Sequence, residues 1–138
     1  MRAMRGVATL LVTLANFPSA VAAECGAALG AGSARAESER YAVAYRTEPA
    51  PLSVGRAFAM EIQVCARRQA AAPTGLRVDA HMPEHRHGMN YRPTVAARGE
   101  GRFRAEGFLF HMPGRWQLVF DVDASGRRER ITTDLSLE

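Results

Sequence analysis

At 138 residues, 47% hydrophobic and 23% charged, the chain has material for one modest core and little room for a second domain. Its basic residues are all arginine, 18 of them against 14 acidic residues. A net charge of +4 with both signs interspersed excludes the basic footprint of a nucleic-acid-binding protein.

The N-terminus carries Arg2 and Arg5, then the mostly apolar stretch Gly6 to Phe17, then small residues through Ala20, Val21, Ala22 and Ala23. This order predicts a secretory signal peptide over residues 1–23, cut after Ala22 or Ala23. The apolar stretch is shorter than the roughly 18 residues that a spanning helix needs, so no membrane insertion is expected after cleavage. Glu24 before Cys25 argues against lipid attachment at that cysteine. The expected location is periplasmic or secreted. There the only cysteines, Cys25 and Cys65, are expected to form a disulfide.

Residues 24–38, rich in Ala, Gly, Ser and Glu, read as a flexible mature N-terminus, and the domain proper as 39–138. From Glu39 the pattern becomes short alternating segments between turn residues. Tyr41, Val43 and Tyr45 share one face of a first strand. Phe58, Met60, Ile62 and Val64 share the inward face of a second, which turns Cys65 outward, where a bridge could staple the N-terminal segment across the sheet. Leu76, Val78, Ala80 and Met82 alternate with Arg77, Asp79 and His81 in a third.

Pro83 and Gly88 then bound a loop. Segments around Thr94–Ala97 and Phe103–Leu109, separated by Gly99 and Gly101, read as a hairpin. Trp116, Leu118, Phe120 and Val122 alternate in the next strand, and Ile131, Thr133, Leu135 and Leu137 in the last. About seven strands and no convincing helix predict an all-β fold, an immunoglobulin-like β-sandwich, with a small open barrel as the alternative.

Chemistry concentrates in two short segments. All four histidines (His81, His85, His87 and His111) and three of the four methionines after residue 23 (Met82, Met89 and Met112) lie within His81–Met89 and Phe110–Gly114. Thioether sulfur selects Cu(I), imidazole accepts Cu(I), Cu(II) and zinc, and a mixed set suits copper where thiols would be oxidised. The expected metal is copper, Cu(I) ahead of Cu(II). The fourth methionine, Met60, falls on the apolar phase of its strand and is read as core.

His85, His87 and Met89 occupy a Pro- and Gly-bounded loop where core packing does not account for them, so they lead the ligand set. His111, His81, Met112 and Met82 complete it. If the turns before and after the hairpin lie at one end of a sandwich, His111 approaches His85 and His87. No phosphate-binding loop, paired-cysteine zinc motif or nucleophile elbow is present, and no enzyme activity is expected.

Two stretches carry a family resemblance: Asp79 to Val95, reading Asp-Ala-His-Met-Pro-Glu-His-Arg-His-Gly-Met-Asn-Tyr-Arg-Pro-Thr-Val, and Gly107 to Leu118, reading Gly-Phe-Leu-Phe-His-Met-Pro-Gly-Arg-Trp-Gln-Leu. With Gly99 and Gly101 between them, they resemble the YtkA-like domain family of small exported or membrane-tethered domains. That resemblance covers most of residues 40–135 and implies an immunoglobulin-like sandwich and, through some relatives, copper handling. His81-Met82, Met89 and His111-Met112 also resemble the spread His/Met ligands of the PCuAC-type periplasmic copper chaperones, although His111 and Met112 are adjacent where that family separates its final pair. The expected function is thus that of an exported copper chaperone or buffer, exchanging copper with an envelope protein that donates or receives it. The alternative is a non-metal interaction module docking on a membrane or envelope complex.

Overall fold

A computed structural model describes residues 24–138, so the signal-peptide reading of 1–23 lies outside the described residues. Nine strands follow a short 3-10 turn at Ala27–Leu29: β1 (Ala34–Glu37), β2 (Tyr41–Glu48), β3 (Ala57–Ala66), β4 (Gly75–Met82), β5 (His87–Gly88), β6 (Thr94–Gly99), β7 (Arg102–Leu109), β8 (Gly114–Ala124) and β9 (Arg127–Leu137). They form two antiparallel sheets, β1-β2-β3-β7-β6 and β5-β4-β8-β9. Without β1 and β5, the order β2-β3-β7-β6 facing β4-β8-β9 is the four-plus-three arrangement of an immunoglobulin sandwich. No ladder joins the two sheets among the described residues, which sets the barrel alternative aside.

The inward faces are those the alternation predicts. Phe58, Met60, Ile62 and Val64 of β3 meet Leu76, Val78, Ala80 and Met82 of β4 and Trp116, Leu118, Phe120 and Val122 of β8 in one core, and no polar residue is buried among the described residues. Met60 is fully buried, as its phase requires. Aromatic rings bridge the layers. Tyr45 lies 5.3 Å from Phe120, and Phe110 lies 4.6 Å from Trp116, between ring centroids. Such tilted pairs stabilise beyond their buried area.

The register breaks once where it matters for the site. Phe58 pairs with Phe108 but Ala59 pairs with Glu106, leaving Gly107, at φ 91°, as the extra residue of a β-bulge. Phe103 and Ala105 point inward before the bulge, and Phe108 and Phe110 point inward after it. An unbroken alternation would have turned both phenylalanines to solvent and moved His111 with them.

Residues 24–38 depart from the expected loose terminus. Ala34–Glu37 form an edge strand paired with Ala42–Tyr45, and Cys25 is bridged to the outward-facing Cys65 with Cα atoms 5.9 Å apart. The segment lies over the outer surface of β2, so Ala42 and Ala44 are buried on one face while Tyr41, Val43 and Tyr45 are buried on the other. The fit is close: a Cβ on Gly26, at φ 84°, would sit 2.2 Å from the Ala44 Cβ, so only glycine and alanine at these two places let the strap lie down. Composition hid this strand because only Ala36 of its four residues is buried.

The outer face of the four-stranded sheet is charged and solvated. Arg130 holds Asp121 through two bonds of 2.8 Å, Arg128 holds Asp123, and Arg115 reaches both Asp134 and Glu84. The Arg130 guanidinium keeps the Asp121 carboxyl below its ordinary value. The Gln117 amide and then the Arg115 guanidinium do the same for Asp134. The Arg115–Glu84 contact also ties the loop after β4 to β8, which is the use the structure makes of Glu84.

Candidate metal centre

The loop Pro83–Arg86 is a tight reversal. The backbone N–H groups of His85 and Arg86 both donate to the Met82 carbonyl, and Arg86 takes a left-handed conformation at φ 54°. The chain returns as the two-residue strand β5, with His87 opposite Met82 and Gly88 opposite His81. Directly opposed residues in a ladder share a face. His87 therefore points to the same side as the buried Met82, over the end of the sandwich.

His111 arrives there from the other sheet, one residue past Phe110. Its ring centroid lies 5.3 Å from that of His87, and His85 lies 5.7 Å from His87 on the exposed side. The fully buried Trp116 forms the floor, edge-on to both His111 (5.5 Å) and His87 (6.3 Å). The indole is fixed by its Nε1–H donating to the Met112 carbonyl at 3.0 Å. Two segments far apart in sequence thus meet.

The imidazoles are not equivalent. His87 Nδ1 lies 3.1 Å from the Gly88 carbonyl, so Nδ1 carries the proton and Nε2 presents a lone pair. Metal-binding histidines are commonly oriented by such a backbone bond. His111 Nδ1 is buried and has no hydrogen-bond partner among the described residues, an arrangement that costs stability unless something else engages that nitrogen. Among the described residues no three His, Cys, Asp or Glu side chains form a preformed metal cage. The rings of His85, His87 and His111 stand near one another, and the thioethers of Met89 and Met112 lie close to them in the chain.

The remaining candidates separate. His81 alternates to the outer face of β4, in register with Gln117, whose amide donates to Asp134, and its own charge helps hold the Asp134 carboxyl low. It stands on the opposite face of the sheet from His87, so its sequence proximity to the cluster does not bring it into the cluster. Met82 is 1% exposed, a core residue whose Cε lies where a Cβ on Gly114 would come within 3.0 Å. Met89 and Met112 are half-buried and pack against the core from its rim.

The sequence reading missed Trp116 as part of the site. Its strict alternation marks it as core, and only the arrival of His111 and His87 above it brings it to the candidate site.

The whole is an immunoglobulin-like sandwich with an imidazole cluster over one buried tryptophan. No family model and no curated protein matches this chain. Among solved structures the chain is similar to a DUF4426 family protein of Pseudomonas aeruginosa, with a TM-score of 0.51 and 10% identity over 77% of this chain and 94% of that one. At that identity the similarity concerns the fold alone.

Proposed function

We propose that this chain is an exported copper-binding protein, a chaperone or buffer of the periplasm or extracellular space, that carries copper on His87 and His111 with help from His85 and the rim thioethers of Met89 and Met112. The observation that carries this reading is the meeting of His87 and His111 over Trp116, with one ring nitrogen of His111 buried and unpartnered. The resemblance to YtkA-like domains points the same way. The Cys25–Cys65 disulfide suits an oxidising compartment, where thiol ligands would not survive and thioethers would. Among the described residues no helix is long and apolar enough to cross a membrane.

Copper is cargo here, and the chemistry is ligand exchange. His87 is oriented by the Gly88 carbonyl, so its free nitrogen is ready without rearrangement. His85 sits on an exposed turn and can be displaced first by an incoming ligand. A partner with stronger ligands would take the ion by replacing these donors one at a time.

Trp116 is the only tryptophan, so its emission reports on this site alone. Adding Cu(I) under anaerobic conditions should quench it, with the change ending at one copper per chain. Emission that stays constant through an excess of copper would refute the proposed location.

A further inference from the structure

The segment between β7 and β8 carries two of the proposed copper donors, His111 and Met112, and its main chain is bonded on both sides of them. The Phe110 carbonyl, in the peptide just before His111, accepts from the Gly55 N–H at 2.8 Å. The Met112 carbonyl, just after the pair, accepts from the Trp116 Nε1–H at 3.0 Å. β7 ends at Leu109 and β8 begins at Gly114, so the strand ladders stop short of this segment and these two bonds take their place.

Local sequence prepares both N–H groups. Gly55 is the third residue of the turn Ser53–Arg56, closed by the Arg56 N–H donating to the Ser53 carbonyl, and it stands at φ 76°. A left-handed residue at that place in a turn favours glycine, and a side chain there would strain the turn that aims this N–H. Trp116 is fully buried, its ring 4.6 Å from that of Phe110, which lies 5.0 Å from Phe58. A buried indole calls for an acceptor, and the packed ring leaves its N–H one direction, towards the Met112 carbonyl. The other half of the cluster is tied more loosely. His85 is exposed on its turn, and His87 belongs to a strand of two residues. Among the described residues the one side chain from elsewhere that bonds this loop is Arg115, through Glu84 at the surface.

We infer that Trp116 and Gly55 are positioning residues: their two N–H groups clamp the main chain around His111 and Met112, so both donors stand in place before an ion arrives. This role rests on the proposed copper site and adds to it the turn before β3, which holds no candidate ligand. Donors fixed in advance lose little freedom on binding, so the clamp contributes affinity without touching the ion.

The test exchanges the indole for an isostere, Trp116→β-(3-benzothienyl)alanine, in which sulfur replaces the N–H and the ring keeps its shape. Trp116→Phe would also leave a cavity. The control is Val122→Ala, which loses buried packing at the far end of β8, where Val122 pairs with Leu76. One readout needs no metal. With chelator present, amide hydrogen exchange at Gly55 should quicken by about tenfold in the isostere, because the segment that accepts from Gly55 has lost its other anchor, and should not change in Val122→Ala. The second is Cu(I) affinity against a competing chelator. It should fall by about tenfold in the isostere, as on loss of an orienting partner, and stay within about twofold in Val122→Ala. Wild-type exchange at Gly55 in the isostere would overturn the clamp, and so would unchanged affinity in a chain that binds copper. Equal changes in Val122→Ala would also overturn it, by tracing the effect to general loosening of the core. Quickened exchange at Gly55 in a chain that binds no copper would instead refute the proposed function while upholding the clamp on His111.

Discussion

Replacing His111 with phenylalanine should make the protein more stable and a worse copper binder at once. The ring keeps its contacts with Trp116 and His87, while the buried, unpartnered Nδ1 disappears. Relief of an unsatisfied buried polar atom contributes about 1 kcal/mol, measurable as a higher urea midpoint at unchanged slope. Copper affinity should fall by about 100-fold. Loss of a residue that merely orients a ligand already costs 10- to 100-fold, and His111 is assigned here as a ligand itself. His81→Ala, on the outer face of β4, is the matched control and should leave affinity within about twofold. The opposite signs of the two effects are the informative part. A His111 that is no ligand would show the stability change without loss of affinity.

The second large effect concerns the strap. Converting Cys25 and Cys65 to serine opens a loop with a sequence separation of 40, and closing a loop of that size in the unfolded chain corresponds to about 3–4 kcal/mol. Urea unfolding should show a loss of that order. The amides of β1 should exchange faster than those of β8, because the strap then depends on a four-residue edge strand. Copper affinity should not change. Cys65 lies near the Arg102 end of β7, and His111 follows the Leu109 end, where Ala57 is paired. A stability loss below about 1 kcal/mol would mean that the seating of Gly26 against Ala44 and the β1–β2 ladder hold the strap by themselves.

Much of the sandwich is legible in the sequence because its long strands obey a period of two. Phe58 to Val64, Leu76 to Met82 and Trp116 to Val122 each assign their own faces, and the core is built from those assignments. The outward position of Cys65, and with it the staple, follows from the same rule. Three features escape it. β1 buries one alanine and so has no visible period. β5 has two residues, too few to show a pattern at all. Gly107 reverses the phase of β7, so the inward turn of Phe108 and Phe110 cannot be obtained by extending the alternation of Phe103 and Ala105.

The candidate site divides along the same line. The clustering of imidazoles and thioethers is a property of the sequence, whereas the approach of His87 to His111 depends on which end of the sandwich each turn occupies, and the structure places both at one end. Membership of the cluster is a matter of faces. His81 and Met82 are neighbours in the chain and point to opposite sides of β4, one to the outer charged face and one into the core, while His87 lies across the ladder from Met82. Trp116 joins the site through the third dimension only.

In the proposed function, copper is held by the loop and strand-end imidazoles. The most direct test is a Cu(I) titration of the purified chain against a competing chelator, alongside His85→Ala/His87→Ala. Tight binding of one copper per chain is expected, with affinity reduced by about 100-fold or more in the double variant while the fold is retained. Weak binding, equal in both proteins, would refute it.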